Sequence, residues 1–320
     1  MPLPALKLTS CVVGLWLLAA NATALTATSE PAASPGSIDE MVLAHQPATS
    51  VAVIERLLAM PAEQRQQLRI VALAPHIVEL LYSIGAGDQI IGTTDYSDYP
   101  EAANQIPRVG SYAGLQVEKI LQMNPDLVIG WKTGNPEADL QRLVGFAVPV
   151  VYSDMVELED VARELDFYGQ LTGREVAAQK QADRYSKRLG TLREQYRDRT
   201  PVTVFYELWS RPLTTVAGNA WPQQQLELCG GDNPFKDLQR DYPQIGLERV
   251  IESLPDVIIQ PNHNGKPNND SVDWAQWPAI PAVQHQHVLV QNVDHTHRMT
   301  MRALDAIEEL CQSIDSARAD

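Results

Sequence analysis

The chain has 320 residues, 44% of them hydrophobic, enough for two domains of ordinary size with a core each. It carries 25 basic against 40 acidic residues, a formal charge of -15. A protein that binds phosphate backbones needs a basic surface, so this balance argues against nucleic acid as a partner.

The first residues read MPLPALKLTSCVVGLWLLAANATA, with Lys7 the only charge before Glu30. A short apolar run over 12–20 and the small-x-small site Ala22-Thr23-Ala24 predict a secretory signal peptide over residues 1–24. The run is too short to span a bilayer, and no later stretch is long and apolar enough, so an exported, soluble product is expected. Removal of Cys11 leaves Cys229 and Cys311. In an oxidising compartment an even pair reads as a disulfide, since two cysteines so far apart have no metal-ligand spacing.

Residues 25–68 form an extension. Its TSEPAASPGS segment reads as linker, and apolar residues at 51, 54, 57 and 58 predict one short helix. A first α/β lobe is expected over 69–171. It has strands at 70–73, 90–93, 127–129 and 148–152, with helices opening at Pro75 and over 139–144. Thr172-Gly-Arg-Glu175 has capping-box spacing. Apolar residues at 178, 182, 185, 189, 192 and 196 then predict one connecting helix over 172–200, ended by Pro201. The second lobe, 201–320, repeats the alternation: strands at 202–206, 214–217 and 288–291, helices at 221–229 and 299–314.

One stretch occurs twice. YAGLQVEKILQMNPDLVIGW (112–131) aligns on YPQIGLERVIESLPDVIIQP (242–261) at a constant offset of 130. Tyr112 falls on Tyr242, Glu118 on Glu248, Pro125 on Pro255 and Asp126 on Asp256. Each copy reads as amphipathic helix, Pro-Asp turn and buried strand, so two similar lobes present an aromatic and a Glu from equivalent places.

Catalytic signatures are missing from the sequence: no GxSxG, no phosphate-binding loop, no GxGxxG after a strand and no HExxH. Asp154 and Asp294 have no spacing that favours acid–base work, so an enzyme is not expected. His285/His287 and His295/His297 are HxH pairs flanking the last strand. In extended chain each pair would share a face and could chelate. Tyr96, Tyr112, Trp131, Trp209 and Tyr242 fall at strand ends or just beyond them rather than inside apolar runs. Parallel sheets bind ligands beyond the carboxyl ends of their strands, so these five read as the wall of a cleft for a large, flat, partly apolar ligand.

The order of these motifs is similar to that of the periplasmic substrate-binding proteins of ABC importers for cobalamin, iron-siderophores and haem, from about Arg69 to Asp315. DYSDYPEAA (95–103), NPDLVIGWKTGN (124–135), LELCGGDNPF (226–235) and YPQIGLERV (242–250) most resemble the cobalamin-binding members. The resemblance implies an α/β fold of two Rossmann-like lobes joined by one long backbone helix, with the ligand between them and only small opening motions. Cys229 and Cys311 match the positions of those members' disulfide. It also implies a periplasmic protein without cofactor that delivers its ligand to a permease dimer, docking through Glu118 and Glu248; the protein itself is expected to be a monomer. Tyr96, Tyr112, Trp131 and Tyr242 match aromatic positions around cobalamin, while Asp294 and Arg298 match a polar edge. The cobalamin-binding members carry Trp where this chain has Tyr112 and Tyr242. A Tyr stacks with less area and offers a hydroxyl to iron, so haem or a ferric siderophore is the alternative ligand. His295 or His297 could reach the metal of a bound corrin or haem. A secreted metal-binding protein or enzyme is the alternative of a different class.

Overall fold

The computed structural model describes residues 40–263, 266–267 and 270–319. The expected signal peptide and the linker part of the extension lie outside the described residues. Among the described residues, no helix is long and apolar enough to cross a membrane.

Two parallel sheets repeat one strand order. In the first, Ile90–Thr93, Ile70–Ala72, Leu127–Trp131 and Val150–Ser153 lie side by side in that order. Their register sets Ile70 against Ile90 and Leu127, and Val128 against Val150. In the second, Gly231–Asp232, Val202–Tyr206, Val257–His263 and Val288–Asn292 follow the same order, with the short antiparallel Lys266–Pro267 on Val257–His263. Helices cover both faces of such sheets, which is why the strands read as unbroken apolar runs rather than alternating ones. The fold class is therefore α/β, with two Rossmann-like lobes. In each sheet the order reverses between its first and third strands in sequence, and the crevice beyond their carboxyl ends is where ligands bind.

The internal repeat extends to single bonds. The helices Val117–Gln122 and Leu247–Glu252 occupy equivalent places, each burying its fourth residue, Ile120 and Val250. Asn124 and Leu254, one residue before the repeated prolines, both have positive φ (48° and 44°). The Pro-Asp pair does more than turn the chain. Asp126 Oδ2 accepts from the N–H of Arg69 (2.9 Å) while its own N–H donates to Arg69 O (2.9 Å). Asp256 makes the same pair of bonds with Thr203 (3.0 and 2.9 Å). Each Asp thus pins the start of its strand to the start of the neighbouring one.

A helix of the first lobe, Asp160–Thr172, leads into the one long helix that joins the lobes, Glu175–Tyr196. The first was not expected, although Val161, Leu165, Tyr168 and Leu171 recur at helical spacing before a glycine. Its presence overturns the capping-box reading. Thr172 ends that helix and donates its hydroxyl back to Tyr168 O (2.7 Å), and Arg174 occupies the cap of the next helix without a side-chain bond. Gly173 makes the break at φ +69°, where a Cβ would lie 2.4 Å from Ala62 O. Glu175 instead pairs with Arg65 (2.7 Å). Ala178, Ala182, Tyr185, Leu189, Leu192 and Tyr196 are all buried, as the stripe predicted. The longer helix, 22 residues, touches both lobes: Gln181 donates to Ser83 O (3.3 Å) and Arg188 to Glu308 (2.6 Å).

Residues 40–68 pack on the first lobe. The helix Ala48–Leu58 buries Ile54 and Leu57, and Gln46 bonds both N–H and C=O of Tyr152 (2.9 and 2.6 Å). Tyr152 lies on the edge strand, so this amide takes the place of a further strand and covers an exposed ladder.

Three second-lobe expectations change. The strand at 214–217 is only the two-residue Leu213–Thr214, paired with Trp209–Ser210. Thr215 and Ala217 donate to Pro243 O and Asp241 O, so the loop of 241–243 takes the bonds a sheet would have used. The closing helix is Ala303–Ala317, starting four residues late because Arg302 and Thr300 are held in a turn. Gly231, two residues past the helix expected over 221–229, begins the edge strand Gly231–Asp232, which the sequence did not suggest. Cys229, capping the helix Trp221–Leu228, is bonded to Cys311 in the middle of the closing helix, with Cα atoms 4.7 Å apart.

Candidate functional site

The first lobe brings His76 and Trp131 together at its switch point. Pro75 starts the helix Pro75–Ser83 straight after the first strand, and Trp131 ends the third. Their rings meet edge to face at 5.2 Å. His76 is buried and lies 3.2 Å from Ser153 Oγ through Nε2. Burial, and then the charge of Arg298, pull its pKa down to about 3, so the imidazole under Trp131 is neutral at physiological pH. Gly134 also lies against the indole: a Cβ there would lie 1.9 Å from the Trp131 ring.

Four of the five expected aromatics are open to solvent: Tyr112 is 71% exposed, Tyr96 67%, Trp209 64% and Tyr242 50%. Trp131 is half-buried. Each exposed ring is carried by an anchored loop. Tyr96, at φ 65°, sits beside Ser97, whose hydroxyl is 2.9 Å from Thr93 Oγ1 and whose carbonyl accepts from Arg108 (2.8 Å). Tyr112 tips the hairpin of Gly110–Ser111 and Gly114–Leu115, fastened where Leu115 N–H donates to Asp139 (2.9 Å). Trp209 stands on the hairpin held by Glu207. That buried carboxylate accepts from Ser210 Oγ (2.6 Å), Val272 N (2.9 Å), Trp274 Nε1 (2.8 Å) and Gln260 Nε2 (2.8 Å). Four donors compensate its burial. Nothing in the local sequence around Glu207 marked it out.

A charged cluster joins the lobes. Arg298, buried in the second lobe, donates to Glu79 (3.1 Å) and Asp98 (2.7 Å) of the first lobe and to Asp294 (3.0 Å) of its own. Arg302, one turn on, donates through Nε to Glu79 (2.9 Å), and its guanidinium lies 3.8 Å from the centroid of the Tyr99 ring. Against the upward push of burial, the Arg298 guanidinium holds the Asp98 carboxyl below the usual range. Arg298 and Asp294 were expected from the sequence; Glu79, Asp98 and Arg302 were not. Trp221 Nε1 and Gln225 Nε2 both donate to Thr296 O (2.9 and 2.7 Å), which sets the segment leading into Arg298.

The histidine expectation is corrected in part. Residues 293–296 form the helical turn Val293–Thr296 with His297 as its cap, so i and i+2 point to different faces and this pair cannot chelate as an extended HxH would. His297 Nε2 is 2.8 Å from the Tyr206 hydroxyl, and His295 is partly buried. His285 and His287 stack with ring centroids 6.0 Å apart. Among the described residues, no group of three or more His, Cys, Asp or Glu is placed to hold a metal ion.

Glu118 and Glu248 are both exposed, each the second residue of its repeated helix. Glu118 bonds Arg142 (2.8 Å), and backbone hydrogen bonding, then Arg142, hold its carboxyl below the usual range. Glu248 has no ion pair among the described residues.

A family model described as periplasmic binding protein matches residues 70–292. A protein named vitamin B12-binding protein, from Vibrio campbellii, is 38% identical over 251 residues, covering 78% of this chain and 90% of that one. The crystal structure of the periplasmic vitamin B12 binding protein BtuF of Vibrio cholerae superposes with a TM-score of 0.73 at 34% identity, covering 79% of this chain and 99% of that one. The periplasmic haem-binding protein BhuT, in complex with two haems, superposes at 0.70 with 18% identity, covering 78% and 98%, a likeness of fold alone.

Proposed function

Because this chain belongs to the periplasmic binding protein family, we propose that it captures a cobalamin-type corrinoid between its two lobes and delivers it to an ABC importer. The carrying observation is the set of exposed rings at the carboxyl ends of the strands, Tyr96 and Tyr112 from one lobe and Trp209 and Tyr242 from the other. Exposed aromatics on rigid loops are the cost-free half of a stacking site: little conformational entropy remains to be lost when a flat ligand arrives. Trp131, in contact with His76 and close to Gly134, supplies the fixed end of that wall. Asp294 and Arg298 form its polar edge, with Arg298 oriented by Glu79 and Asp98 rather than left free. The identity to vitamin B12-binding proteins supports a corrinoid as the ligand. Titration with cyanocobalamin is expected to quench tryptophan fluorescence and give sub-micromolar affinity. Absence of heat and quenching, with tight binding of haemin, would overturn this reading.

Haem or a ferric siderophore is the second reading, favoured by one observation: the Tyr112 hydroxyl is offered to solvent where a Trp would have none. Corrinoid and haem absorbance bands of the protein as isolated separate the two.

Glu118 and Glu248 are the docking pair for the permease. Their matched helix positions and exposure support this, and arginines on the importer are the complementary chemistry. Glu118 must exchange Arg142 for such a partner, whereas Glu248 has nothing to release. Glu118→Arg combined with Glu248→Arg is expected to abolish uptake while leaving ligand affinity normal; uptake that survives both changes removes the docking role.

A further inference from the structure

We propose that a second cavity, between the lobes beside the helix Glu175–Tyr196, is a binding site for a small organic anion carrying a carboxylate or phosphate. The cavity has a volume of about 390 Å³, within the range of small-molecule sites. Its wall draws on three parts of the fold: Ser83 and Tyr99 from the first lobe, Arg184 and Arg188 from the connecting helix, and Arg302 and Asp305 from the second lobe. None of Tyr96, Tyr112, Trp131, Trp209 or Tyr242 lines it, so it lies apart from the aromatic wall, sharing with that site only Glu79, which also holds Arg298.

Charge selects the ligand. Three guanidiniums line the cavity against two carboxylates, Glu79 and Asp305, in a chain whose formal charge is -15. Both carboxylates are already used. Glu79 accepts from Arg298 and Arg302, and Asp305 accepts from Arg188, which also reaches Glu308 (2.6 Å). Arg184 makes no hydrogen bond or ion pair among the described residues and is exposed toward solvent on the cavity wall. Arg188 and Arg302 are held by Asp305, Glu308 and Glu79, so the unpaired guanidinium of Arg184 is the group left to take an anion, its planar N–H fork matching carboxylate and phosphate oxygens. The Tyr99 ring, 3.8 Å from the Arg302 guanidinium, keeps that cation oriented without neutralising it. Because both lobes contribute, a bound anion bridges them.

Isothermal titration of the exported protein with citrate and with ribose 5-phosphate, with ribose as the neutral control, tests the site. At least one anion is expected to bind with a Kd below roughly 1 mM, and ribose is expected to give no heat. Binding of citrate alone assigns a carboxylate ligand, binding of ribose 5-phosphate alone a phosphate, and binding of both the shared chemistry. Arg184→Gln should weaken the bound anion at least about tenfold, the scale of one charge-assisted bond, with unchanged thermal unfolding in its absence. No heat from either anion, equal binding of ribose, or an affinity unaltered by Arg184→Gln each overturns the proposal. Cyanocobalamin affinity, measured on the same variant, is expected to be unchanged.

Discussion

Replacing Glu79 by Ala removes the one carboxylate that both interlobe arginines share. Glu79 is buried and accepts from Arg298 (3.1 Å) and from Arg302 Nε (2.9 Å). Deleting one partner of a buried ionic network typically costs about 3–5 kcal/mol, most of it the penalty of orphaned charge rather than the net worth of the network. Here the lower end is expected. Arg298 keeps Asp98 (2.7 Å) and Asp294 (3.0 Å), and Arg302 keeps the face of Tyr99. The expectation is a loss of about 3 kcal/mol, roughly a hundredfold in the folding equilibrium. Urea unfolding followed by tryptophan fluorescence measures it, provided the m-value is unchanged so that the midpoint shift reports stability. Glu79→Gln retains an acceptor of the same shape and should fall between Ala and wild type. A Glu79→Ala variant within about 1 kcal/mol of wild type would refute the reasoning, because it would mean that water satisfies these guanidiniums and their burial is immaterial.

Two further changes probe the first lobe. Burial, with a contribution from the charge of Asp160, pushes the Glu164 carboxyl up from 4.5 to about 7. A raised carboxyl stabilises the fold fully below pH 4.5 and loses that contribution as pH rises through 7. Glu164→Gln should therefore gain on wild type between pH 4.5 and 8 by up to roughly 3 kcal/mol. Taking the difference between the two proteins cancels His76, whose depressed pKa acts oppositely, its stabilisation being lost as pH falls from 6.5 toward 3. A difference independent of pH would show that Glu164 is ionised without penalty. Gly134→Ala forces the Trp131 indole off its seat on His76, since the new Cβ would sit 1.9 Å from the ring. A shifted fluorescence emission and cyanocobalamin affinity weakened at least about tenfold are expected; wild-type emission and affinity would mean that the indole can move aside at no cost to the site.

What could be read from the sequence was periodic or repeated. Apolar runs at 70–73, 90–93 and 202–206 located strands within a residue, because a strand buried on both faces must be apolar throughout. The stripe from Ala178 to Tyr196 located the long helix for the analogous reason at a period of 3.6. The offset of 130 located the equivalent helices that carry Glu118 and Glu248, since two lobes with one topology need the same residues at the same joints. Cysteine counting located the bridge, with the expectation of export and the resemblance to the family narrowing its reading. Where signals compete locally, the tertiary fold decided. Thr172 had capping-box spacing, yet Gly173 packs against Ala62 and fixes the break one residue later. The HxH at 295–297 had chelating spacing only in an extended chain, and Trp221 and Gln225, some 70 positions away, hold that segment in a helical turn through Thr296. The partners of Arg298 were least legible of all: Glu79 lies 219 positions away and Asp98 200. Periodicity is a property of neighbouring residues and survives in the sequence. The choice of which carboxylate meets a buried guanidinium depends on how two lobes close on one another, and only the folded chain contains that information.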